Sequence, residues 1–276
     1  MFFLDNNNSH DIITRMEAKL RFSTPNAKLK ALAKRLGLKL KTFTLPSGFT
    51  CPGALECLSK ADRETGKITD GPETKFRCFQ ASAEALYPSL RNMVWNNFNV
   101  LTSGTAKKMD DLQLASLIEE SLPGFDILRV HVGGDFFSQK YFDAWLEVAR
   151  RNPSRIFYAY TKSLKFWIQR LNEIPENFVL TASRGGTHDF LIDEFMLKEA
   201  VVVFSEEEAE EKGLEIDHDD WHAAYGKENF ALLLHGTQPK GSVAGEALKK
   251  LRRAGKGGYP ATEKKRDPRV LEEVAA

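Results

Sequence analysis

The chain has 276 residues, with 39 Lys and Arg against 38 Asp and Glu, and is 42% hydrophobic and 11% aromatic. A net charge of +1 excludes a global field that would draw the surface to nucleic acid or membrane. No apolar run approaches the roughly 18 residues of a bilayer span, and 19 Phe favour a large core over disorder.

The N-terminus, Met1-Phe2-Phe3-Leu4-Asp5-Asn6, lacks the basic start and long apolar stretch of a secretory signal. A cytoplasmic protein without membrane partners is expected. Residues 1–24 read as an extension, 25–254 as one α/β domain and 255–276 as a frayed tail.

The first predicted helix spans Pro25 to Gly37, with Leu29, Leu32, Ala33 and Leu36 at helical spacing, Pro in the first turn and Gly at the stop. Leu38 to Leu45 alternates as a strand does, and Pro46-Ser47-Gly48 ends it. Phe76 to Phe98 reads as a helix carrying Cys78 near its start, kinked or divided at Pro88. Asp110 caps a helix to Leu122.

A regular rhythm follows. Strands are predicted at Ile127–Val132, Ile156–Tyr160, Phe178–Ala182, Ala200–Phe204 and Asn229–His235. Helices intervene at Ser138–Arg151, Leu164–Leu171 and from Ser205 through the acidic run EEEAEEKG, and Ser242–Arg253 closes the domain. Short strands alternating with helices predict a parallel sheet with crossover helices. About six strands are too few for a full eight-stranded barrel, which leaves a partial barrel or an open doubly wound sheet.

In parallel α/β folds, ligands bind beyond the carboxyl ends of the strands. The chemistry-bearing residues fall there: the cysteines after the first strand, Gly133-Gly134-Asp135 after the second, Tyr160-Thr161-Lys162 after the third, Ser183-Arg184 after the fourth, and His235 at the end of the sixth.

All three cysteines, Cys51, Cys57 and Cys78, share one short segment. An odd number in a reducing compartment argues against a disulfide framework. Thiolates suit zinc or iron–sulfur clusters, and three of them leave one position open for a substrate or a fourth ligand. Lys75 and Arg77 could lower the Cys78 pKa. Zinc with a His as fourth ligand, or three buried free cysteines, are the competing readings.

Gly133 and Gly134 allow close approach to the backbone, and Asp135 could accept from an ammonium group; the plain alternative is a tight strand–helix turn. Tyr160, Lys162, Ser183 and Arg184 offer contacts to an anion or carboxylate, or form an ordinary polar rim. His235 could touch a ligand or complete a metal site. His188 is a lesser candidate, and His218-Asp-Asp-Trp-His222 has the spacing of two ligands on one helical face but reads as surface. The basic run from Lys249 to Lys256 could contact phosphates, or simply complement the helix dipole.

The segments TFTLPSGFTCPGALEC, RVHVGGDFFSQKYFDAW, FYAYTKSLKFW and LLLHGTQPKGSVAGEALKKL resemble the phage gene-product-eighty-eight family, in the right order from about Lys28 to Tyr259. That family looks related to the radical S-adenosylmethionine (radical SAM) superfamily. The resemblance implies a partial (β/α)6 TIM-like barrel of radical-SAM type. It also implies a 4Fe-4S cluster on Cys51, Cys57 and Cys78, and S-adenosylmethionine as a cofactor, with Gly133, Gly134 and Asp135 where that superfamily has a Gly-Gly-Glu segment for the methionine amino group. Tyr160, Lys162, Ser183 and Arg184 would orient cofactor or substrate.

An electron donor such as a ferredoxin or flavodoxin would be a partner, and the substrate is unspecified. This chain departs from the superfamily pattern by intervals of five and twenty residues in place of a compact cysteine triplet, and by Asp in place of Glu. Two further readings are a non-catalytic redox or regulatory iron–sulfur protein and a zinc-stabilised nucleic-acid-binding protein.

Overall fold

The computed structural model describes residues 19–256. Most of the expected 1–24 extension and nearly all of the expected 255–276 tail lie outside the described residues. Residues 19–24 are tied to the body: the Leu20 amide donates to Ser121 Oγ, Arg21 to Asn97, and Ser23 bridges Thr42.

The strands are β1 Leu40–Thr42, β2 Ser59–Ala61, β3 Ile68–Asp70, β4 Ile127–Arg129, β5 Ile156–Thr161, β6 Phe178–Ser183, β7 Glu199–Val203, β8 Glu215–Ile216 and β9 Phe230–Leu233. Seven form one sheet in the order β1-β4-β5-β6-β7-β9-β8, parallel at every pairing. All six predicted strands are present, in chain order across the sheet. The two-residue β8, at the far edge, is too short to leave a periodicity in sequence. The β2–β3 antiparallel hairpin, between Cys57 and Cys78, was also not predicted.

β1 and β4 are shorter than expected because His131 turns left-handed at φ 65°. Pairing nevertheless continues past them: Phe43 N–H donates to Arg129 O, Val132 to Phe43 O and Leu45 to Gly133 O. The predicted Phe76–Phe98 helix is two, Phe79–Leu86 and Pro88–Leu101, divided where Tyr87 is extended ahead of Pro88.

The two sheet faces differ in chemistry. One carries Leu128, Val130, Phe157, Ala159, Phe178 and Leu180, packed under the Gln139–Arg151 helix, which buries Tyr141, Phe142, Trp145 and Leu146 almost completely. At about 1.5–3 kcal/mol per buried large side chain, this helix is the main anchor of that face. The other face carries Ile127, Tyr158 and Ala200 against Leu29 and Leu32 of the Ala27–Leu36 helix and the Trp221–Ala224 turn. Among the described residues, no helix is long and apolar enough to cross a membrane.

Candidate metal centre

The cysteine loop is positioned by the strand ends beneath it. Ala54 bridges Gly186, Glu56 N–H donates to Gly185 O and Thr187 N–H to Gly53 O. A methyl group on Gly53 would stand 2.1 Å from the Lys162 carbonyl oxygen, so the loop rests directly on the end of β5. Cys78 is the N-cap of the Phe79–Leu86 helix. Its amide donates to Ser59 Oγ on β2, which ties the distant third cysteine to the hairpin that follows the second.

The three thiols are free and half-buried, and near enough to act on one another electrostatically. Burial chiefly pushes the Cys51 thiol far up, with Asp135, Cys78 and Cys57 adding to it, while the Gly48 N–H at 3.4 Å acts in the opposite sense. Burial and then Cys57 push Cys78 up to about 12, opposed by the Ala81 and Gln80 amides at the helix start. Burial raises Cys57 as well, countered first by Lys162.

A metal would therefore displace protons here, and the N–H groups and Lys162 already face the sulfurs as they would face anionic thiolates. Among the described residues, no three His, Cys, Asp or Glu side chains form a group that could hold a metal ion. The thiols thus approach one another without forming a closed ligand set. Lys75 and Arg77, the cations expected to lower Cys78, are paired instead with Glu56 and Asp70.

Gly133, Gly134 and Asp135 sit beside the cysteines but are packed by protein. A side chain on Gly133 would meet Gln80 at 2.0 Å, and one on Gly134, at φ 79°, would meet Leu45 and Thr50 at 2.6 Å. The buried Asp135 carboxylate accepts from Phe136 N, Thr161 Oγ1 and Lys162 N. Burial lifts its pKa to about 6 despite those three bonds.

Lys162 donates to Ser183 O, Ser183 Oγ and Arg184 O, which fixes its charge beside Cys57. The Arg184 side chain turns away to Glu199 and Asp193. Behind the cysteines lies a second polar group that no sequence pattern announces. Ser47 N–H donates to the buried Glu84, whose carboxyl also interacts with the Ser47 and Gln80 side chains while burial pushes its pKa up.

Tyr160 and His235 belong elsewhere. On the opposite sheet face Asp220, fully buried, binds Lys28 at 2.7 Å and Arg129 at 2.5 Å and accepts from Tyr158 and Tyr160. His235 Nδ1 lies 3.1 Å from Leu233 O, and the ring packs on Phe79; burial is the main cause lowering its pKa to about 4. His218 is exposed as expected, but His222 is buried beside Phe230 and reaches Glu215, so the surface reading of that segment holds only for its first histidine. The signal was present: Arg129 stands in an otherwise apolar strand, and a buried cation needs a buried partner.

The family model described as Gene product 88 matches residues 12–256. The Gene 88 protein of Mycobacterium phage L5 is 25% identical over 198 residues, covering 67% of this chain and 68% of that protein. No solved structure matches. The chain therefore belongs to the Gene product 88 family of phage proteins.

Proposed function

We propose that this protein carries an iron–sulfur cluster, of the 4Fe-4S type, on Cys51, Cys57 and Cys78, and that it serves one-electron redox chemistry. The observation that carries the proposal is that three thiols, the last separated from the second by twenty intervening residues, come within electrostatic reach of one another at the carboxyl rim of a parallel sheet. The donor set fits the group. Backbone N–H groups face Cys51 and Cys78, and Lys162 supplies a fixed cation beside Cys57. A cluster presents its irons at separate corners, so its cysteines need not converge on one point as the ligands of a single ion must.

Bound there, such a cluster would exchange single electrons with a partner such as a ferredoxin or flavodoxin, or with a ligand at its open iron. The strand order, running in chain sequence across the sheet, is the order a partial (β/α)6 TIM-like barrel would have. S-adenosylmethionine is the ligand that the resemblance to radical SAM proteins implies. The filled surroundings of Gly133 and Gly134 and the three bonds to Asp135 favour the redox reading over one in which this segment holds a methionine amino group.

Anaerobic reconstitution with ferrous iron and sulfide tests the proposal. The expected result is a brown protein whose visible absorption bleaches on reduction and returns on oxidation. A colourless protein that takes up stoichiometric zinc in preference would contradict it.

A further inference from the structure

The last helix, Val243–Arg253, has two flanks of opposite electrostatic character. On one, a groove of about 690 Å³ brings Lys250 and Lys256 against Glu206, Glu207 and Glu246, and Lys256 pairs with Glu206 at 2.5 Å. On this flank two cations meet three carboxylates within the protein. On the other, a groove of about 340 Å³ between the helix and the Thr237–Gln238 loop is lined by Lys249, Arg252 and Arg253 and by no acidic residue. All three cations are exposed. Lys249 forms an exposed ion pair with Glu246 one turn back at 3.6 Å, and Arg252 donates to the Gly236 carbonyl.

We propose that this second groove binds the phosphate backbone of a single nucleic-acid strand, with Lys249, Arg252 and Arg253 as the phosphate contacts. The helical rise of about 1.5 Å per residue spreads the three charges over roughly 6 Å of the helix axis, a line of cations rather than a closed cradle around one anion. The helix C-terminus opposes an anion with only about half a charge, against three full positive charges. No aromatic side chain lines the groove, so it lacks the stacking platform that bases would need, and recognition is of backbone rather than sequence.

The groove adjoins the candidate metal centre through its own wall. Gln238 Oε1 accepts from Arg77 N–H, its amide returns a bond to Arg77 O, and Ser82 Oγ donates to Thr237 O, on either side of Cys78. Strand binding does not depend on the cluster, and Cys51→Ala should bind as wild type does.

The test is fluorescence anisotropy of a labelled oligothymidylate with the full-length protein across a salt series. Each phosphate contact to a single strand adds about 0.7 to the slope of log affinity against log salt. Lys249→Gln combined with Arg253→Gln should lower the slope by about 1.4 and the affinity in 0.1 M salt by about 25-fold. Lys250→Gln, on the flank that carries the carboxylates, should change neither. Thermal unfolding of the double variant, which alters only exposed side chains, should be unchanged. Absence of strand binding by wild type, equal binding by the double variant, or displacement of the strand by inorganic phosphate at matched phosphate concentration would each overturn the proposal.

Discussion

Asp220 is the residue on which the second sheet face depends. Burial opposes its ionisation, yet Arg129 and Lys28 hold its pKa at about 2. Removing the charge would take from two almost wholly buried cations the carboxylate they share, and breaking such a cluster costs about 3–5 kcal/mol. Asp220→Asn is the cleanest probe, because Asn tolerates the left-handed backbone, φ 68°, at this position. Urea denaturation at neutral pH should reveal a loss of that size. Since the folded carboxyl is more acidic than the unfolded one, its stabilisation is present above about pH 4 and fades as pH falls towards 2. The gap between wild type and variant should therefore narrow on acidification. A gap that stays constant with pH would contradict the assignment.

The cysteine loop and the hairpin after it are the elements that set the candidate site. Gly53→Ala places a methyl group against the Lys162 carbonyl, where backbone rather than a flexible side chain must move. Overpacking of this kind costs about 1–3 kcal/mol. Reconstituted iron should fall alongside stability, because Cys51 and Cys57 flank the displaced contact. A variant with wild-type stability and full iron content would show that the loop is not seated as described.

The six predicted strands were legible in sequence because apolar runs such as ILRVHV and IFYAYT are long enough to carry a period, whereas their order across the sheet, which separates a partial barrel from a doubly wound sheet, leaves no such period. The hairpin was not: Ser59-Lys60-Ala61 and Ile68-Thr69-Asp70 are three residues each, below the length at which alternation means anything. The clustering of Cys51, Cys57 and Cys78 could be read from the chain. The packing of Gly133 against Gln80, and the turning of Tyr160 towards Asp220, depend on which face each element presents, and that is decided only in three dimensions.

At the scale of the molecule, a sheet parallel at every pairing brings the loops after β1, β4, β5 and β6 to one rim. The first three of these contribute directly to the surroundings of the cysteines: Gly48 N–H faces Cys51, Asp135 acts on Cys51 and Cys57, and Lys162 acts on Cys57. The opposite arrangement, polar chemistry buried beneath the Ala27–Leu36 helix and the Trp221–Ala224 turn, holds the second face shut with an ion cluster.

The central claim is that three sulfurs serve one cluster. Iron and acid-labile sulfide should be quantified per chain after anaerobic preparation, in wild type and in Cys51→Ala, Cys57→Ala and Cys78→Ala singly. The account predicts about four of each in wild type and a marked loss in every variant, Cys78→Ala included. Full iron and sulfide in Cys78→Ala, or a wild-type protein that holds neither, would contradict it.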